Sequence, residues 1–276
     1  MKLEAAQEWG SKLEHEYHVY RATSGIRGIP KMLWYGVEGR YNVMVLSRLG
    51  CTFEEMAQLG VLDANAVFTY AKQMVFSPCA RSTLLFTSHS KLSVLKSLHD
   101  HHYVHLDVKP DNFMIGTGDR SSRVFLIDFG LTRLFRNPAT RKHITQFKGL
   151  DITGTVRYSS INSHLGLTQS RRDDLESLAY AIVYLVKGRL PWQGIAVHPG
   201  QVHHDEVLKL KQVTTAKTLC KGLPQPFIEF IQHIRSLGFE DKPDYRYLHS
   251  LLTQCILPLN QMPPTTWTEP LLVTGQ

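Results

Sequence analysis

Cysteine is scarce and scattered in this chain of 276 residues: Cys51, Cys79, Cys220 and Cys255 are the whole complement, and no two form a C-x-x-C pair. That spacing suggests neither a zinc ribbon nor a disulfide framework, and it fits a reducing compartment. Long apolar runs are also missing. The longest, Leu178 to Val186, falls far short of the roughly 20 residues that span a bilayer. Glu4 and Glu8 sit where a secretory signal would need an apolar core. No membrane span is expected, and the chain reads as soluble and intracellular, cytoplasmic or nuclear. Acids are the minority sign, 24 against 31 basic residues, a formal net charge of +7. Such an excess suits acidic partners or simple solvation, and no motif accompanies it that would specify nucleic acid.

What is present is ample for a core: 43% hydrophobic and 20% charged residues, the balance of a folded globular body. Leu3, Trp9, Leu13, Tyr17 and Tyr20 recur at helical spacing, which predicts a helix over residues 3–23, ended by Gly25, Gly28 and Pro30. Two strands are predicted at 31–35 and 41–47, around a turn at Gly36 to Gly39. Beyond Gly50 the pattern is mostly helical, with predicted helices at 51–58, 63–74, 92–101, 172–186, 204–209, 225–236 and 243–252. Short strands are predicted at 113–115 and 124–127, with a turn at Gly116-Thr117-Gly118. Residues 75–91 contain Pro78 and five serine or threonine residues, and they interrupt what would otherwise read as one helix. They are either a family-specific docking loop or retained non-coding sequence. From Leu257 the chain is a proline-containing tail.

The segment His105-Leu106-Asp107-Val108-Lys109-Pro110-Asp111-Asn112, followed by Ile127-Asp128-Phe129-Gly130, carries the chemistry. Phosphoryl transfer needs a carboxylate to orient the substrate hydroxyl, a cation to offset phosphoryl charge and hard oxygen ligands for Mg²⁺. Asp107, Lys109, and the pair Asn112 and Asp128 supply these in the order and context of a protein kinase. His99, His101, His102 and His105 form the only zinc-like cluster, but the same context gives them structural roles.

Two further runs make the likeness specific: Thr153 to Gly166, with Ser160-Ile161-Asn162 where most kinases carry Ala-Pro-Glu, and Gln169-Ser170-Arg171-Arg172-Asp173-Asp174-Leu175-Glu176. On these the chain resembles the casein kinase I family of Ser/Thr protein kinases. The resemblance implies an α+β, two-lobed kinase fold. Residues 1–49 would be the remnant of the small lobe, 50–256 the large helical lobe and 257–276 the tail. It implies ATP and Mg²⁺ as cofactors, acidic or phosphorylated Ser/Thr sites of proteins as substrates, and a monomer. Lys2 matches the lysine that holds the α and β phosphates, and Glu16 its ion-pair partner. Leu46 matches the gatekeeper, and Ser47, Arg48 and Leu49 the backbone that meets adenine. Arg157 matches a residue of the anion pocket that reads substrates already phosphorylated nearby, and Asp173 the residue that ties down the catalytic loop. Leu106 stands where the family has the arginine of His-Arg-Asp, which argues against control by activation-loop phosphorylation. Two strands and a helix ahead of residue 47 leave out the glycine-rich loop, so weak ATP binding and slow transfer are expected, with a catalytically silent protein-binding module as the alternative.

Overall fold

The computed structural model describes residues 1–5, 11–75, 94–195 and 203–259, with no side-chain placement at 203 and 257–259. The chain opens with β1 (Lys2–Ala5), α1 (Lys12–Ala22), β2 (Met32–Glu38) and β3 (Tyr41–Leu46). The strands form one antiparallel sheet in the order β1-β3-β2, with Lys2 opposite Met44 and Tyr35 opposite the same residue from the other side. The helix predicted over 3–23 is therefore two elements. Lys2–Ala5 gains a full ladder against β3, and helix begins only where Ser11 accepts a hydrogen bond from Glu14 N at 3.0 Å, an N-cap that periodicity alone does not weigh. Three strands stand where periodicity gave two, and the extra one carries Lys2, within residues 1–4 that by resemblance match the end of a strand.

The rest is mainly helical: α2 (Phe53–Gln58), α3 (Ala64–Val75), α4 (Val94–Asp100), α5 (Ile161–His164), α6 (Arg171–Lys187), α7 (His203–Val213), α8 (Ala216–Leu219), α9 (Gln225–Ser236) and α10 (Tyr245–Leu259). Two small ladders lie between α4 and α5. β4 (Tyr103–Val104) pairs with β7 (Arg133–Leu134), and β5 (Phe113–Ile115) with β6 (Val124–Leu126). Except for the opening helix and the last one, which runs to Leu259 where 252 was the predicted end, the predicted elements recur within four residues. The inserted segment, beyond Val75 at the end of α3, lies outside the described residues, as does the tail from 260; α10 runs through Leu259, three residues past the expected boundary.

α6 is the axis of the core. It is buried on nearly every side, including Asp173, Asp174 and Glu176, so its carboxylates must find partners inside the protein. Gly188 ends it with φ of +75°, the left-handed conformation that favours glycine at this position. Trp192, expected in the core, is buried edge-on against Tyr180 with ring centroids 4.9 Å apart, and its indole donates to Arg157 O at 2.8 Å.

Candidate active site

Lys2 projects from β1 to Glu16 of α1, its Nζ lying 2.6 and 2.9 Å from the two carboxylate oxygens, and it reaches Asp128 Oδ1 at 3.1 Å. Glu16 is only 5% exposed at its side chain, and Lys2 is 32% exposed. The bridge is thus half sheltered, on a strand tied into the sheet. Burial pushes the Glu16 carboxyl up from its ordinary range, against the pull of Lys2. Burial also works to raise Asp128, but the Lys2 ammonium, His105 and the Gly130 N–H together outweigh it and hold Asp128 below its ordinary value, as an anion. Glu16 further accepts from Phe129 N at 3.2 Å, while Tyr20, one helical turn on, meets the Phe129 ring edge-on at 4.8 Å. α1 and the Asp128-Phe129 turn therefore position each other. Asp128 itself has φ of +67°, a backbone strain on the order of 1 kcal/mol that these contacts sustain.

Asp107 lies 11% exposed at its side chain in the turn after β4. Its Oδ1 accepts from Thr155 N at 2.9 Å and Thr155 Oγ1 at 2.8 Å, and its Oδ2 is 2.8 Å from Lys109 Nζ. Lys109 also donates to Thr155 Oγ1 at 3.1 Å. Asn112 donates Nδ2 to Asp107 O at 2.8 Å, which leaves its amide oxygen as the atom suited to a hard cation. Gly154 makes the close approach possible. Its φ is +85°, and a Cβ there would stand 2.3 Å from Leu106 O. The structure brings Asp107, Lys109 and Asn112 together with Thr155, which the sequence did not single out although it lies within the run that carried the family likeness, while Asp128 is joined to Lys2.

Asp174, and not Asp173, ties down this loop. Its Oδ2 accepts from His105 N at 2.7 Å and its Oδ1 from Leu106 N at 2.9 Å, while His99 Nε2 lies 2.9 Å from Oδ2. Asp173 serves its own helix instead, accepting from Ser170 N at 2.6 Å, Ser160 Oγ at 2.7 Å and Asn162 Nδ2 at 3.0 Å. Consecutive residues on a helix point about 100° apart, so adjacent acids meet different neighbours. The histidine cluster is absorbed in the same way: His99 by Asp174, and His105 by Ile127 O at 3.0 Å. Among the described residues no cluster with metal-ligand spacing occurs.

Of the residues expected to face adenine, Leu46 ends β3 and Ser47, Arg48 and Leu49 follow it. Ser47 N donates to Lys31 O at 2.8 Å, so that N–H is not free for an adenine edge, and any contact there falls to the Ser47 carbonyl and the next two residues. Arg157 lies over the rings of Tyr158 and Tyr184, 5.7 and 5.6 Å from their centroids. It lines a cavity of about 520 Å³ together with Lys109, Asp111, Thr155 and Gly194.

The segment from Thr155 to Ser159 is held from behind by Lys211 of α7, a fully buried lysine that sequence gave no reason to notice. Its Nζ donates to Val156 O at 2.8 Å, Ser159 O at 2.6 Å and His164 Nε2 at 3.0 Å, so three acceptors take its three N–H groups. Burial, then the Lys211 charge, pulls His164 down to about 4. The unfolded chain, with an ordinary histidine near 6.5, binds a proton that the folded protein refuses, so this stability is present above about pH 6.5 and is lost as pH falls toward 4. Allowing for solvent at one edge of the ring, the loss is about 2 kcal/mol. Urea unfolding at pH 7 and pH 4.5 should show a smaller acid loss for His164→Gln than for the parent, and equal losses would refute it.

The protein kinase domain family model matches residues 53–248, which take in the Asp107 turn, the Asp128 turn and all of α6. No helix among the described residues is long and apolar enough to cross a membrane.

Proposed function

Because the chain belongs to the protein kinase family, we propose that it transfers the γ-phosphoryl group of ATP to serine and threonine hydroxyls of acidic or already phosphorylated proteins, in a two-lobed fold of the casein kinase I type. The observation that carries this reading is the presence of two carboxylates each paired with a lysine, the sheltered Asp107 with Lys109 at 2.8 Å and Asp128 with Lys2 at 3.1 Å. Bound Mg-ATP supplies the transferring group and the divalent charge that offsets its oxygens. The chain's own residues do the positioning. Asp107, fixed by Thr155, orients the substrate hydroxyl and receives its proton. Lys109 stays within reach of the phosphoryl oxygens, and Asn112 and Asp128 offer the metal a neutral and an anionic oxygen. Lys2, aimed by Glu16, meets the nucleotide phosphates, and Ser47 to Leu49 meet the adenine. Arg157, sharing a cavity wall with Lys109, is suited to an acidic or phosphorylated residue of the substrate.

The test is incubation of the purified chain with Mg-ATP and a casein-type acidic substrate. Phosphoserine and phosphothreonine should form, disappear with EDTA, and be absent with Asp128→Ala. Equal signals from the parent and that variant would overturn the reading, and absence of transfer with retained partner binding would favour the silent module. Arg157→Ala should raise KM about tenfold for a peptide already phosphorylated beside its acceptor, and leave the unphosphorylated peptide little changed.

A further inference from the structure

Behind the Lys2–Glu16 pair, the chain leaves α1 and turns before entering β2, and the turn around Arg120 to Arg123 approaches it from the helical part. Together they border an open cavity of about 690 Å³ lined by Arg21, Arg27, Lys31, Arg120 and Arg123 and, among the described residues, by no aspartate or glutamate. That volume is in the range of about 300 to 1,000 Å³ typical of small-molecule sites. Among the described residues, Arg21, Lys31, Arg120 and Arg123 make no ion pair with a carboxylate. The contacts of Arg21 and Arg120 are with aromatic groups that hold guanidinium without neutralising it. Arg21 donates to Tyr17 OH at 3.2 Å, and Arg120 lies 5.6 Å from the centre of the Phe125 ring. The turn is packed closely against the helical part, since a Cβ on Gly28 would stand 2.4 Å from Val94 Cγ2 and 3.1 Å from Val124 O. The cations thus surround a built concavity.

Five like charges around one cavity repel each other, a cost that a bound polyanion removes. Four of the five are arginines, whose planar forks match phosphate oxygens two at a time. They ring a single cavity and do not form a stripe, which suits a compact ligand and not a duplex with its charge every ~1.7 Å along an extended axis. We propose that this cavity binds a small molecule carrying two or more phosphate groups. None of Lys2, Asp107, Asn112 or Asp128 lines it, so it is separate from the proposed nucleotide position.

Titration calorimetry of the full chain with tripolyphosphate, without Mg²⁺, tests the assignment. One saturable site is expected, weakened by added salt and weakened about tenfold or more in the double variant Lys31→Ala with Arg123→Ala. Neither side chain makes a hydrogen bond or ion pair among the described residues, so the variant should melt with the parent. The charge-preserving pair Lys31→Arg with Arg123→Lys should retain affinity within about threefold, and Asp128→Ala should bind as the parent does. Absence of binding, equal binding by the double alanine variant, or a loss confined to Asp128→Ala would overturn the proposal. A doubly phosphorylated peptide, or duplex DNA, binding through the same residues tenfold tighter than tripolyphosphate would overturn it in favour of a macromolecular ligand.

Discussion

Asp174→Ala is expected to cost about 3–5 kcal/mol of stability, because it removes a buried carboxylate whose partners then have no replacement. His105 N and Leu106 N lose their acceptor, and His99 loses the neighbour at 2.9 Å that occupies one of its ring nitrogens. Two buried backbone N–H groups without partners account for about 1–3 kcal/mol each, and the vacated volume adds to them. Leu106 is held at φ of +69°, a conformation a leucine keeps only while its surroundings impose it. Phosphoryl transfer by the remaining folded protein should therefore fall as well, since Asp107 is the next residue. Thermal unfolding should drop by about 10 °C, at roughly 2–4 °C per kcal/mol for a chain of this size. Asp174→Asn keeps one acceptor oxygen and should fall between alanine and the parent. A loss below about 1 kcal/mol for the alanine variant would show that the loop does not depend on this anchor.

Asp107→Asn should behave in the opposite way, with stability nearly unchanged and kcat lowered by about 10² to 10⁴. The amide oxygen can still accept from Thr155 N and Oγ1, so the scaffold that holds position 107 survives. What disappears is the basic oxygen able to take the hydroxyl proton, together with the charge that pairs with Lys109 at 2.8 Å. KM for ATP should move little, because the proposed reading assigns the nucleotide to Lys2, Asp128 and the segment after β3. Steady-state kinetics beside a melting curve decide the matter. A fall of less than tenfold in kcat would remove Asp107 from its proposed role, and a large fall in melting temperature would make it a structural residue instead.

The two variants separate what is local from what is distant. Asp107, Lys109 and Asn112 lie within six residues on one turn, so their chemistry is readable from spacing: Asn112 Nδ2 finds Asp107 O without help from the rest of the chain. Helices with long apolar faces were legible for the same reason, and α9 has the predicted bounds of 225–236. The opening segment misled because Leu3 lies at helical spacing from Trp9 and Leu13 by coincidence. Only the presence of β3 alongside makes Lys2–Ala5 a strand. Thr155 was within sight of the reading, inside a run already noticed, but its role depends on Asp107 arriving from 48 residues away.

The sequence by itself determined that acids and cations occur in the order that the proposed phosphoryl transfer uses. Tertiary structure decided which of those groups meet. Lys2 reaches Asp128 across 126 residues. Asp174 rather than Asp173 faces the loop, because one step along a helix turns a side chain by about 100°. Lys211 enters the core because three acceptors and two aromatic rings converge there. The surplus of positive charge was visible as a sum from the start, but a sum has no address. Folding draws five of those charges, from two segments some ninety residues apart, around one cavity with no carboxylate among its described lining residues, and that placement is what the proposed phosphate ligand rests on.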